Sequence, residues 1–444
     1  MPPQAKKIVR TARKRRELST EFAFTPQMLP ASRGAVQAYR QSAWEAFTAL
    51  PLPDTNEEAW RRTDIHHLDP ARFHIPAAEE SAALPPVPPK LLAPLVDAAH
   101  GGQMVFTAAG VQTTLEADIA AQGVVFTDFA SAERTHPEIL QKILGQVVRP
   151  DEGKFSALAA AFARQGTLVY VPANVHVQAP LHSILWGAGQ NLAYFSHILI
   201  YLEKGASLTY VHEWASPEDA EVFHAGIVEV HVGENASLRY VELQSWGQRA
   251  WNFTHERARV LRGGKLDWIF GALGSRLTKT FADLDLLGEG AEGRMSGFSF
   301  IEDSQHLDYD TQQNHLAPHT TSDLLFKCAL EDKSRSVWQG MIYVAPGAQK
   351  TDGYQANRNL LLSRKARADS IPGLEILADD VRCTHGATAG KVDPDQLFYL
   401  RSRGLPQKDA ERLIVEGFFT PIMERIPFEG VRTRFEEAID AKMQ

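Results

Sequence analysis

The segment Arg382-Cys383-Thr384-His385-Gly386 sets a thiol and an imidazole two residues apart. On a β-strand such residues project to one face, with Cα atoms roughly 6.5–7 Å apart. A thiolate and an imidazole at that spacing reach one metal ion or one iron–sulfur cluster. The same parity groups them with Val381 and Ala387, which equally suits a buried structural cysteine beside a hydrogen-bonded histidine. The residues alone leave both readings open. Only one other cysteine exists, Cys328. Two thiolates cannot enclose a four-thiolate cluster, so in a cluster role this chain supplies part of a site. Cys328, flanked by Leu325, Phe326, Ala329 and Leu330, reads as an inert core thiol.

A second set of potential ligands is His306, Asp308, Asp310, His315 and His319. On a strand the first three share a face, and imidazole with carboxylate suits zinc or iron. The competing reading is a polar strand face open to solvent or a neighbouring subunit. Two nucleotide-like strings carry less. Gly288-Glu289-Gly290-Ala291-Glu292-Gly293 fits GxGxxG but leads into an alternating, strand-like run, Met295 to Ile301, where a dinucleotide site needs a helix. Gly386-Ala387-Thr388-Ala389-Gly390-Lys391-Val392 has three residues between its glycines instead of four, and Val392 where Ser or Thr must hold Mg²⁺. ATP is therefore not expected to bind this chain.

These residues sit on a repetitive scaffold. Gly205-Ala206-Ser207-Leu208-Thr209-Tyr210-Val211 recurs 30 residues later as Asn235-Ala236-Ser237-Leu238-Arg239-Tyr240-Val241, with a weaker echo from Gly263 to Ile269. Gly or Asn opens each unit where a tight turn favours positive φ, and alternating apolar residues follow. Repeats of this length signal a solenoid whose rungs share one core; a β-sandwich is the competing arrangement. The expected organisation is a basic tail over 1–30, a helical region and Ala/Pro-rich linker over 31–100, a β-helix over 101–392 (clearest from 167), and helices over 393–444. Ser32 is expected to cap a helix over 32–50, and a short helix is expected around Leu158 to Phe162. In the C-terminal region, Asp393-Pro394-Asp395-Gln396 reads as a helix start and Gly404 as its stop. Ala410, Leu413, Ile414, Gly417 and Phe418 then form one helix face, and Val431, Phe435, Ala438 and Ile439 another. Helices thus cap the solenoid at both ends.

Composition narrows the function classes. The 444 residues carry 46 basic and 54 acidic side chains, a net charge of −8 that argues against nucleic acid as the main partner. No apolar run approaches the roughly 18 residues of a membrane span. The longest, Tyr194 to Leu202, suits a buried strand. Lys6, Lys7, Arg10, Arg13, Lys14, Arg15 and Arg16 lead into Glu17-Leu18-Ser19-Thr20-Glu21, not an apolar segment, so they read as a solvated tail and not a secretion signal. With few cysteines, a reducing cytoplasm is the expected compartment.

The stretch Asp332-Lys333-Ser334-Arg335-Ser336-Val337, Gly340-Met341-Ile342-Tyr343-Val344, Asn357-Arg358-Asn359-Leu360-Leu361-Leu362, Cys383-Thr384-His385-Gly386-Ala387-Thr388 and Asp395 to Gly404 resembles the SufB/SufD family of the SUF iron–sulfur cluster assembly system. The His-Gly-Ala-Thr wording and single thiol resemble its SufD branch. Resemblance is dense over 320–420, looser over 60–320 and weak before 50. It implies a right-handed parallel β-helix between helical regions. It also implies a non-catalytic scaffold that pairs with a SufB-like paralogue and, through its C-terminal helices, a SufC-like ABC-type ATPase. A transient cluster would form near the paralogue contact with Cys383 and His385 as candidate ligands, and the resemblance admits a reduced flavin in the complex. The competing classes are a metal-dependent β-helix enzyme using His306 to His319, and a polysaccharide or acyl-transfer enzyme on the same fold.

Overall fold

The computed structural model describes residues 21–96 and 99–443. The basic cluster at 6–16 lies outside them. The chain enters through α1 (Gly34–Ala49) and two short helices in the Pro-rich crossing, α2 (Ala78–Ala82) and α3 (Pro89–Leu92). An antiparallel hairpin follows, β1 (Gly102–Thr107) and β2 (Gly110–Leu115), then α4 (Ala117–Ala120) and β3 (Val125–Asp128). Helices α5 (Phe129–Thr135), α6 (Pro137–Ile143) and α7 (Lys154–Phe162) lead into the solenoid.

Winding begins with β4 (Gln165–Val171) and β5 (Leu181–Trp186), then β6 (Gln190–Leu202) and β7 (Ser207–Ala215). β8 (Glu221–Val232), β9 (Ser237–Ser245), β10 (Trp251–Val260) and β11 (Lys265–Ala272) add two turns. β12 (Leu277–Leu286), β13 (Glu292–Ile301), β14 (His306–His315) and β15 (Thr321–Leu330) add two more. β16 (Arg335–Val344), β17 (Asp352–Leu361), β18 (Arg367–Ile376) and β19 (Arg382–Lys391) complete eight turns. From β4 onwards the even-numbered strands run parallel in one sheet, with β3 antiparallel at its edge, and the odd-numbered strands run parallel in the other, which also holds β1 and, antiparallel at its edge, β2. The β-solenoid expected from the repeat is therefore present, and the sandwich is not.

The repeat is the register itself. Ser207 pairs with Ser237, Tyr210 with Tyr240 and Val211 with Val241, and β9 pairs with β11 so that Tyr240 lies beside Trp268. The Tyr210 and Tyr240 rings stack at 5.7 Å. Gly205, Asn235 and Gly263 all take positive φ, as the unit-opening positions require. At Gly263 a side chain is also barred by space, since a Cβ would lie 2.3 Å from Asn235 Oδ1 in the rung before. Between the sheets, Leu208, Leu238 and Leu266 meet Val228, Val230, Val232 and Val260 in one core.

Both helical regions lie along the outer faces of the sheets, not over their ends. On the even sheet, Phe195, Phe223 and Phe253 pack against Phe155 and Phe162 of α7, Phe47 of α1 and Trp60. Phe22 and Phe24 join them, so the segment from 21 belongs to this layer and not to the expected tail. Ser32 does not cap α1; its hydroxyl bonds Pro30 O and the cap position is Arg33. On the odd sheet, Val241, Ile269, Phe298 and Leu325 are covered by α9 (Gln407–Met423) and α10 (Glu429–Lys442), which follow α8 (Pro394–Ser402). Asp393 caps α8 through Asp395 N–H, as its sequence suggested, and Gly404 follows with φ of 94°. The buried stripe of α9 is Ala410, Val415, Phe419 and Ile422, turned from the expected one, and Leu413 is exposed. Val431, Phe435 and Ile439 of α10 are buried as expected.

The two ends of the solenoid differ. At the start, the antiparallel strands β2 and β3 terminate the sheets. At the far end, β18 and β19 are the last strands, and among the described residues nothing pairs with their outer edges. Every residue of both strands is at least partly exposed. No helix of the described residues is long and apolar enough to cross a membrane.

One buried carboxylate fastens the N-terminal layer. Glu229 on β8 accepts hydrogen bonds from the backbone N–H of Gly145, Val147 and Val148 at 2.8, 2.7 and 3.2 Å, and contacts His197 Nε2 at 2.8 Å. Glu229→Ala strands all four groups away from water, and a loss of about 3–5 kcal/mol is expected in urea unfolding. A loss below about 1 kcal/mol would show that water replaces the carboxylate.

Candidate functional site

Strand register carries two columns of inward-facing residues up the odd sheet. One runs Leu208, Leu238, Leu266, Gly293, Ser322, Gly353 and ends at Cys383. Its neighbour runs Tyr210, Tyr240, Trp268, Met295, Leu324, Gln355 and ends at His385. These two columns are therefore apolar on their first rungs and end on polar residues. Cys383 and His385 share a face, as the spacing predicts, on the last strand of an open sheet. Cys383 is half-buried, packed beside Ile342 and Ala348, while His385 is exposed. Burial pushes the Cys383 thiol up; the Gly353 N–H opposes this and the Asp352 carboxylate adds to it. Beside them Arg382 makes an exposed ion pair with Asp352.

From the even sheet, His315 enters the same lumen. Its Nδ1 lies 2.7 Å from Thr320 Oγ1 and its Nε2 2.8 Å from Ser322 Oγ. Gln313 Nε2 donates to the same serine oxygen at 2.6 Å. Burial holds the His315 imidazole down at about 4, so it is neutral near pH 7. A Cβ placed on Gly353 would lie 3.2 Å from Cys383 Sγ and 3.4 Å from His315 Nε2. The thiol and this imidazole thus both lie against Gly353.

The other candidates separate. His306, Asp308 and Asp310 face the opposite way on β14, towards the N-terminal layer. His306 Nε2 is 3.0 Å from Thr63 Oγ1, and the same hydroxyl donates to Asp308. The place a metal would take is held by the buried Lys279 ammonium, 3.0 Å from Asp308 and 3.8 Å from Asp310. Burial raises Asp308 and raises Asp310 to about 6, against the pull of Lys279, and lowers His306 to about 3. His319 sits in a turn with φ of 59°. His315 lies nine positions after His306, an odd offset, so they point to opposite sides of the strand and the five residues do not converge. Among the described residues no three His, Cys, Asp or Glu side chains are grouped to hold a metal ion. Gly386 to Lys391 is strand, not a phosphate loop, and Gly288 to Ala291 is a turn leading into β13. Cys328 is buried, and burial pushes its thiol up to about 11, as suits an inert core residue.

Sequence reasoning named His315 but grouped it with the wrong neighbours, and it passed over Gly353 and Ser322. The signal was available: stepping back one rung at a time from Cys383 leads to Gly353 and then Ser322.

Comparison with known proteins gives two family matches. A model described as "SUF system FeS cluster assembly, SufBD core domain" matches residues 185–418, and one described as "SufBD protein N-terminal region" matches residues 23–182. The iron-sulfur cluster assembly protein SufD of Bacillus subtilis is 34% identical over 336 residues, covering 74% of this chain and 76% of the relative. An iron-sulfur cluster assembly SufBD family protein of Staphylococcus saprophyticus is 32% identical over 323 residues, 72% of this chain and 69% of the relative. One from Staphylococcus epidermidis is 31% identical over the same length.

Proposed function

This chain belongs to the SufBD family of iron–sulfur cluster assembly proteins, and we propose that it acts there as a SufD-type scaffold that supplies half of a cluster-forming site. The observation that carries this reading is the position of Cys383 and His385, the last members of two lumen columns at the uncapped end of the solenoid. A thiolate and an imidazole so placed offer two donors and leave the remaining coordination positions of an iron ion to another chain.

The partner is a paralogous SufB-type chain joined at the β18–β19 edge. Open edges carry unpaired N–H and C=O groups that a second strand satisfies by β-augmentation. Leu374 and Ile376 stack on Ile342 and Val344 of the previous rung and are 37% and 38% exposed, and Leu377 beyond them is 51% exposed. An added rung would bury them. An ABC-type ATPase subunit is the second partner, docking on the C-terminal helices, where Phe398 and Tyr399 of α8 are 74% and 56% exposed. ATP is hydrolysed there, and this chain performs no turnover of its own. The cluster is cargo, held briefly and passed on.

The test is His385→Ala in cells that depend on this system. His385 is exposed, so the complex is expected to assemble while cluster delivery to a reporter enzyme falls at least tenfold. Normal delivery by that variant would remove His385 from the site.

A further inference from the structure

We propose that the chain's own basic run, Arg13-Lys14-Arg15-Arg16, seats in an acidic cavity between the N-terminal layer and the even sheet, fastening the start of the chain across that layer. This goes beyond the cluster-assembly reading and does not depend on it. The cavity, of about 410 Å³, is walled by Trp60, Phe155 and Phe281, with Glu57 and Lys154 among its charged lining. That is the size of a seat for an organic group, not for a bare ion. Its charges do not balance. Arg257 serves two carboxylates, Glu152 at 2.7 Å and Asp283 at 2.6 Å. Lys279 likewise serves Asp308 at 3.0 Å and Asp310 at 3.8 Å. Each pair of carboxylates thus shares one cation, and Glu152, Asp283 and Asp310 all line the cavity. Glu57 adds an exposed carboxylate. Lys154 offsets one of these charges, and its ammonium is tied to the carbonyl oxygens of Phe47 and Leu50 at 2.6 and 2.7 Å. Burial holds His255, also in the lining, down at about 4, so it is neutral and offsets none. Its buried Nδ1 has no hydrogen-bond partner among the described residues. Burial raises Asp310 to about 6 despite Lys279, with Asp308 and Asp283 adding to it; a further cation would relieve that excess.

The occupant follows from where the described residues begin. Burial lowers the Lys154 ammonium and the Glu21 carboxylate opposes it, so residue 21 lies beside the cavity. Arg16 is five residues earlier, a reach of at most about 17 Å, and Arg13, Lys14 and Arg15 directly precede it. Residues 1–20 carry +6 in a chain whose total is −8, which leaves −14 on the rest. An arginine suits this seat. Its planar, weakly hydrated fork pairs with carboxylates, and its stem packs on aromatic rings. So short a tether raises the local concentration to the millimolar range, and weak contacts then suffice.

A water-soluble carbodiimide, which couples a lysine amine to a carboxylate in contact with it, reads the seat in the full-length chain. Lys14 is expected to be joined to Glu57 or Asp310 of the same chain, and the product to disappear in 1 M NaCl, roughly where screening reaches 3 Å. Joining instead to acids elsewhere, to a second copy or to an accompanying chain would overturn the proposal. A labelled peptide of residues 1–20 gives a second measure. It is expected to bind the full-length chain carrying Arg13→Gln, Lys14→Gln, Arg15→Gln and Arg16→Gln about tenfold more tightly than wild type, whose own run holds the seat. Equal binding to the two would show the seat empty and the proposal wrong. In the Gln background, Glu57→Gln with Asp310→Asn is expected to weaken the peptide about tenfold, and Glu57→Gln alone, at an exposed site that tolerates it, about threefold. Glu436→Gln with Glu437→Gln, exposed on α10 over the opposite sheet, is the control for net charge and is expected to leave binding unchanged. Equal weakening by the control would mean attraction to the whole acidic surface, with no seat in the cavity.

Discussion

A chain carrying Leu374→Lys and Ile376→Lys is expected to fold normally and to fail to join the proposed SufB-type partner. Both side chains extend lumen columns that run through Ile342 and Val344, and both end at the open rung with over a third of their surface exposed. In the free chain the two ammonium groups can stay in water, so the cost to folding is small. In the joined solenoid they would be buried against the partner's first rung without counter-charges. Truncating one interface hot spot costs about 2 kcal/mol or more, so two sites together are worth about 4 kcal/mol, on the order of a thousandfold in affinity. Lysine on an edge is also how natural sheets prevent strand addition. Recovery of the partner at wild-type yield, with the variant's melting temperature unchanged, would place the interface elsewhere.

The second large effect is chemical. Cys383→Ser is expected to reduce cluster delivery to the level of cells lacking this chain, with the complex intact. The substitution changes one atom on the last strand, where the side chain is only half-buried, so little stability is at stake. What it removes is the soft donor; a serine hydroxyl is a poor ligand for iron–sulfur chemistry at neutral pH. Cys328→Ser is the control. That thiol is buried in the odd sheet and held up near 11, so its loss is expected to change stability slightly and delivery not at all. Equal loss of delivery in both variants would point to general thiol chemistry instead of a site at the open end.

The solenoid was readable because its defining feature is local. Ser207 to Val211 and Ser237 to Val241 repeat in sequence and pair in space at the same offset, so one observation yields both the fold and the register. The shared face of Cys383 and His385 was readable for the same reason, since strand parity needs no tertiary information. What parity also held, but the grouping of His306 to His319 ignored, is that an odd spacing sends His315 into the lumen and His306 out of it. The approach of Cys383 and His315 to Gly353 could not be read locally, because the two side chains are 68 positions apart and are brought together only when β14 and β19 are wound into place. The turned face of α9 has a different origin. Ile414 and Phe418 resemble Val415 and Phe419 in hydrophobicity, and only the ridge of Phe298 and Leu325 beneath the helix chooses between them. Phe22 and Phe24 were missed because the basic residues before them dominated the composition of the segment.

The most direct test of the half-site reading is the native mass of the tagged full-length chain, recovered anaerobically from its own cells, with every accompanying chain identified. The expected result is a heteromeric complex containing a second SufBD-type chain and an ABC-type ATPase, which dissociates when the β18–β19 edge carries Leu374→Lys and Ile376→Lys. A chain recovered alone, or only with copies of itself, and unaffected by those substitutions, would contradict it.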